Sequence, residues 1–141
     1  MDEAAEMKDR WREPAELLRR LGHPLRLALL EDLLKGPRCV TDLQDLLGVR
    51  QANMSQHLGV LRQTGLVDYH EEGAQRCYYL CRPALARALL EVAREEYPLE
   101  PLSKAEVKRR AEARRREEGT ACAAASVQGK ENMNDEGIAD S

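Results

Sequence analysis

Apolar positions along this chain follow a helical period at first, then an alternating one, then a helical one again. Residues 3–12 can form a helix, and Pro14 suits the first turn of a second. That second helix puts Leu17, Leu18 and Leu21 on one side and stops at Gly22. Pro24 opens a third helix, LRLALLEDLLK, closed by Gly36 and Pro37. Its apolar face is broad, as expected for the central helix of a small bundle. Arg38, Cys39 and Val40 read as a brief extended segment. A helix beginning at Thr41 follows, with Thr41 and Gln44 in the spacing of a capping box. Leu43, Leu46 and Leu47 should face inward, Gly48 should supply a left-handed stop, and Val49 should bury. Another helix spans about 51–64, with Met54, Leu58 and Leu61 as its inner stripe.

After Gly65 the pattern alternates. LVDYH (66–70) and RCYYLC (76–81) read as two strands joined by the loop EEGAQ. Pro83 opens a last core helix over 83–97, carrying Leu85, Leu89, Leu90 and Val92 and ended by Pro98 and Pro101. Residues 1–98 thus read as one domain, mainly α with a small β-hairpin. Residues 99–118 form a charged extension that can be helical but has almost no apolar face. Residues 119–141 are small, polar and low in complexity, and the expectation for them is disorder.

Two short helices around a glycine turn, followed at once by a hairpin, make a winged helix-turn-helix. A helix about 10–12 Å wide fits a major groove about 12 Å wide. The outward side of the second helix shows Gln51, Asn53, Ser55, Gln56 and Arg62. Asn and Gln pair bidentately with adenine, and Arg with guanine or phosphate. The competing use of the same shape is a winged-helix protein-interaction module, with these polar groups merely solvated.

Charge first argues against nucleic acid, because the net charge is −3. Its distribution reverses that inference. Basic groups outnumber acidic ones between residues 8 and 94, and residues 50–65 hold Arg50 and Arg62 with no acid. The run from Lys104 to Arg116 fits either contact with phosphate or a solvated helix of mixed charge. No apolar run approaches the roughly 20 residues of a membrane span, so no membrane partner is expected. The N-terminal MDEAAEMKDRW lacks the layout of a signal peptide, so the expected location is the cytoplasm. No phosphate loop or nucleophile–base pair is evident, and an enzyme is not expected.

The segments LGHPLRLALLEDL, CVTDLQDLLGV, RQANMSQHLGVLRQTGLV and the strand ending in YYL resemble the ArsR/SmtB family of bacterial transcriptional repressors, over residues 13–96. The resemblance implies a homodimer of winged helices on a double-stranded, inverted-repeat operator, released when an effector binds. It implies a dimer interface built from the terminal helices, residues 3–20 and 83–97. It places Gln51, Asn53, Ser55, Gln56 and His57 at DNA-facing positions, and Arg62 and Arg76 at phosphates. Arg50 stands where many such repressors have a capping Ser, losing a cap worth about 1 kcal/mol and adding a candidate phosphate contact. The wing loop looks about one residue longer than the family's pattern. His57 could equally pack against a neighbour. His23, before Pro24, reads as structural, and His70 as an exposed wing residue.

Sensing turns on thiols. Some members of that family hold arsenite or soft metals through a Cys-Val-Cys element, which here reads Cys39-Val40-Thr41. Thr41 replaces the second thiol and Gln44 stands where a third would be, so three thiolates for a metalloid are lacking. Others bind zinc through Asp and His on the last core helix, and residues 83–97 contain neither. Cys77 and Cys81 share a strand face but sit about 13 Å apart. A Cys39–Cys81 or Cys39–Cys77 pair could serve as a redox pair or as part of a metal site. The plainer reading is three small buried apolar residues. Cys122 falls in the expected tail.

Overall fold

The structure is a computed structural model describing the backbone of residues 2–136 and the side chains of residues 2–120. It divides into two units, one ending at Glu96 and the other beginning at Tyr97.

The first unit opens with α1 (Glu3–Arg10), capped by the Asp2 carboxylate, which accepts from the Ala4 N–H at 3.1 Å. Helix α2 (Arg12–Leu21) carries the Glu16 carboxylate between Arg19 and Arg20, which hold its pKa below the ordinary value. Helix α3 (Pro24–Leu33) starts on His23, whose Nδ1 accepts from the Leu25 N–H at 3.1 Å. Pro24 adds a φ already set for the first turn. Leu29, Leu30 and Leu33 of α3 are buried, together with Asp32. The short strand β1 (Arg38–Cys39) follows, then α4 (Val40–Leu47) and α5 (Gln51–Gln63). Gly48, at φ 63°, makes the turn between them. This backbone region disfavours side chains with a Cβ.

Strands β2 (Val67–Glu72) and β3 (Gln75–Leu80) form the wing, and α6 (Pro83–Arg94) returns to pack on α3. The sheet order is β1-β3-β2, antiparallel throughout, with Arg38 opposite Tyr78 and Cys39 opposite Cys77. One core joins Leu21, the α3 leucines, Leu43, Met54, Leu58, Leu61, Leu66, Val67, Tyr78 and Leu90. Met54, Leu58 and Leu61 are fully buried, so α5 is seated by the stripe its periodicity predicts.

Several local expectations change. Helix α4 begins one residue earlier, with Cys39 as its N-cap and no side-chain cap bond. Thr41 therefore lies inside the first turn, and its hydroxyl donates to Gln75 Oε1 at 3.0 Å instead of forming a capping box. Leu46 is exposed rather than inward, since only Leu43 of α4 buries completely. The hairpin loop is shorter than EEGAQ. Glu71 pairs with Arg76 and Glu72 with Gln75, leaving a turn at Gly73-Ala74. Gly73 at φ 63° permits this tight turn, whereas the exposed charges had disguised the strand ends. Strand β3 stops at Leu80, before Cys81, and α6 stops at Arg94.

The second unit contains α7 (Lys104–Glu136). Its helical backbone runs through Glu136. Residues 137–141 of the expected tail, and the Cys122 side chain, lie outside what the structure describes.

Candidate nucleic-acid interface

Helix α5 is fastened on one side and open on the other. Its buried stripe leaves Gln51, Ala52, Asn53, Ser55, Gln56, Arg62 and Gln63 exposed, with no carboxylate among them. At 3.6 residues per turn, Ala52, Gln56, Gly59 and Gln63 share the side opposite the core. Gln51, Ser55 and Arg62 flank it on one edge and Asn53 on the other. A Cβ added at Gly59 would meet nothing within 4 Å. Small groups at 52 and 59 leave room for a close-packed groove wall. Gln63 lies on this same side, three turns beyond Ala52.

The first turn of α5 has no side-chain cap. Arg50 occupies the N-cap and makes no capping bond, so backbone N–H groups remain there for an anion. Arg50 itself is exposed beside them.

His57 points elsewhere. Its ring lies 4.5 Å from that of His23, and its Nδ1 is 3.3 Å from Arg26 Nη1. Partial burial, then the charges of His23 and Arg26, push its pKa below the ordinary histidine value. Arg26 Nε is buried without a hydrogen-bond partner. These three side chains seat α5 on the start of α3 and keep His57 off the outer face.

Arg62 and Arg76 converge on the wing. Their guanidinium carbons sit 4.4 and 4.5 Å from the centroid of the Tyr69 ring. Arg62 Nε also pairs with Asp68 at 3.2 Å, while Arg76 approaches Glu71 at 4.0 Å. The Tyr69 N–H, then the Arg62 charge, hold the Asp68 carboxyl below its usual range. The wing tip carries Glu71 and Glu72, both exposed. His70 is exposed as expected and stacks on Tyr79 at 5.2 Å.

Cys39 and Cys77 form a disulfide between β1 and β3, closing a loop of sequence separation 38. Of the two pairings left open by the sequence, the structure makes this one. Both residues are half-buried and line an open cavity of about 830 Å³ with Asp42, Asp45, Leu46 and Glu72. Cys81 is an exposed free thiol just beyond β3. A three-thiolate metalloid site does not fit this set, because the two nearest sulfurs are bonded to each other. Among the described residues, no three His, Cys, Asp or Glu side chains stand together for a metal ion. Nor is any described helix long and apolar enough to cross a membrane.

Residues 23–69 match the family model of the bacterial regulatory protein, arsR family. The biofilm growth-associated repressor of Agrobacterium fabrum is 42% identical over 83 residues, covering 59% of this chain and 71% of that protein. The chain belongs to the ArsR family. Its fold is the family's winged helix as well. The crystal structure of the transcriptional repressor BigR from Xylella fastidiosa superposes with a TM-score of 0.54 at 34% identity, covering 67% of this chain and 100% of that one. The homodimeric winged helix-turn-helix DNA-binding domain of Mb0332 from Mycobacterium bovis, solved by NMR, gives 0.54 at 28% identity over 66% and 85% of the two chains. The matched segment of the family model holds α3, α4, α5 and the start of the wing, which is the part whose core positions α5.

Proposed function

We propose that this regulator is a homodimeric repressor that reads an inverted-repeat DNA operator with α5. The observation that carries the reading is the acid-free outer face of α5, set on a fully buried stripe. Gln51, Asn53, Ser55 and Gln56 read base edges, with Ala52 and Gly59 admitting the groove wall. Arg50 and the uncapped first turn of α5 take one phosphate, and Arg62 and Arg76 take the backbone beside the wing. Phosphate there must compete with Asp68 and Glu71 for those guanidinium groups. His57 acts as a positioning residue for α5 rather than a base contact.

Exposed Met7, Trp11, Leu18 and Val92, on α1, α2 and α6 or between them, supply apolar surface for a second copy. Two-fold pairing would set two α5 helices one DNA turn apart, about 34 Å. The Mycobacterium bovis domain, described as homodimeric, supports the same assembly. As a regulator without membrane partners, it would work in the cytoplasm, and no catalytic role is assigned to it.

The test is fluorescence anisotropy on the DNA upstream of its own gene, against shuffled DNA at several salt concentrations. The double variant Gln51→Ala, Gln56→Ala should lose affinity for the upstream DNA far more than for shuffled DNA. Equal losses on both would refute base reading by these side chains. Sedimentation of the free protein as a monomer at micromolar concentration would refute the dimer.

A further inference from the structure

We propose that Cys39 and Cys77 form a reversible dithiol–disulfide site that braces the DNA-reading unit when oxidised and loosens it when reduced. The inference rests on the repressor reading for its consequence on DNA, but not for its chemistry.

Three observations carry it. The disulfide's loop runs from the N-cap of α4 to the middle of β3, so it encloses all of α4, α5 and β2. Without the covalent link, β1 holds the start of α4 to the wing through a strand of only two residues. The sulfurs are also reachable. They line an open cavity rather than the apolar core, so a small thiol has access to the half-buried pair, and accessible disulfides are more readily reduced. Finally, the neighbouring wing contact is polar and weak. The Thr41 hydroxyl and Gln75 make an exposed side-chain hydrogen bond across the same junction, which water can replace once the sulfurs part.

The co-reactant is a low-molecular-weight disulfide. A thiolate of one cysteine attacks it, forming a mixed disulfide and expelling one small thiolate. The other cysteine's thiolate then attacks the protein sulfur of that mixed disulfide and expels the second. The protein dithiol is oxidised by two electrons, the small disulfide is reduced to two thiols, and the two protons pass to the departing thiolates. An excess of small thiol drives the reverse reaction.

The full chain is reduced, freed of reductant, and equilibrated in glutathione and glutathione disulfide buffers of graded ratio. Alkylation and peptide mass mapping then report the state of each sulfur. The expected product is one Cys39–Cys77 link, with Cys81 alkylated as a free thiol. Cys39→Ser and Cys77→Ser should each abolish the link, and Cys81→Ser should leave it. Cys39 and Cys77 remaining thiols, or ending as separate glutathione adducts, would overturn the proposal. So would a Cys39–Cys81 link forming as readily.

Hydrogen exchange of α4, α5 and the wing should slow on oxidation in the parent chain and be insensitive to redox state in Cys77→Ser. Equal exchange in both parent states would overturn the bracing. On the upstream DNA the oxidised form should bind about tenfold more tightly. A redox-dependent exchange pattern with no upstream-DNA binding in either state would sink the repressor reading alone. Binding that is equal or tighter in the reduced form would sink the coupling.

Discussion

The guanidinium of Arg62, near the end of α5, lies 4.4 Å from the ring centroid of Tyr69 on the wing. The same ring receives Arg76 from the facing strand, so one aromatic side chain orders both cations proposed to meet DNA phosphate. Cation–π contact at exposed positions is worth about 0.5–1 kcal/mol each. Tyr69→Phe should therefore preserve stability and DNA affinity, because the contact uses the ring face. Tyr69→Leu should lower stability by ~1–2 kcal/mol and weaken binding to upstream and shuffled DNA alike. Urea midpoints and anisotropy on both DNAs check this. A loss confined to the upstream DNA would show that the wing also reads sequence.

The contact between His57 and His23 predicts a pH response. The folded pKa of His57 is depressed, chiefly by burial and then by the neighbouring positive charges. The unfolded chain therefore takes up this proton more readily than the folded one. Stability associated with neutral His57 is complete above the unfolded value near 6.5 and is lost as pH falls through the folded pKa. Melting curves from pH 7.5 to 5 should show a declining midpoint, with a smaller decline in His57→Gln. An unchanged slope in that variant would remove His57 as its source.

The wing, proposed to lie against DNA, places Glu71 and Glu72 beside its turn. Both carboxylates oppose phosphate, and Glu71 also competes for Arg76. Replacing both by Gln should strengthen binding to any duplex and steepen its salt dependence, by up to about one unit of log–log slope for each cation freed. Salt titrations of the parent and the double variant measure this. An unchanged slope would place the wing tip away from the DNA backbone.

The helices and the seating of α5 were legible in the sequence because their information is local. Met54, Leu58 and Leu61 mark the buried face by spacing alone, and Gly48 marks the turn by its backbone freedom. What escaped depends on partners distant in the chain. Thr41 has the right neighbours for a capping box but bonds instead to Gln75 on the wing. His57, left open between base contact and packing, lies against His23 and Arg26 from another helix start, partners that its own helix does not announce. Asp32 drew no reading from the sequence. In the structure it is buried, and Arg38 Nε reaches to 3.1 Å of its Oδ2, the same oxygen that lacks a well-aligned hydrogen bond. Charge attraction rather than an oriented bond holds that pair, and no spacing rule announces it. The choice of Cys77 over Cys81 likewise follows from strand register, which places Cys39 opposite Cys77.

The surroundings of that disulfide predict which oxidants and reductants reach it. Asp42, Asp45 and Glu72 line the cavity with Arg38, leaving carboxylates in excess around the sulfurs. Glu72 Oε2 lies 3.9 Å from Cys77 Sγ. Negative groups at this range repel anionic reagents and attract cationic ones. Cationic cystamine should therefore oxidise the reduced pair faster than neutral hydroxyethyl disulfide, and anionic glutathione disulfide should be slowest. The spread should narrow as salt rises, because the Debye length falls from about 10 Å at 0.1 M to about 3 Å at 1 M. Stopped alkylation at timed intervals gives the three rates. In Asp42→Asn, Asp45→Asn the order should flatten while the Cys39–Cys77 product stays the same. Equal rates for the three reagents in the parent chain at low salt would show that these carboxylates do not govern access.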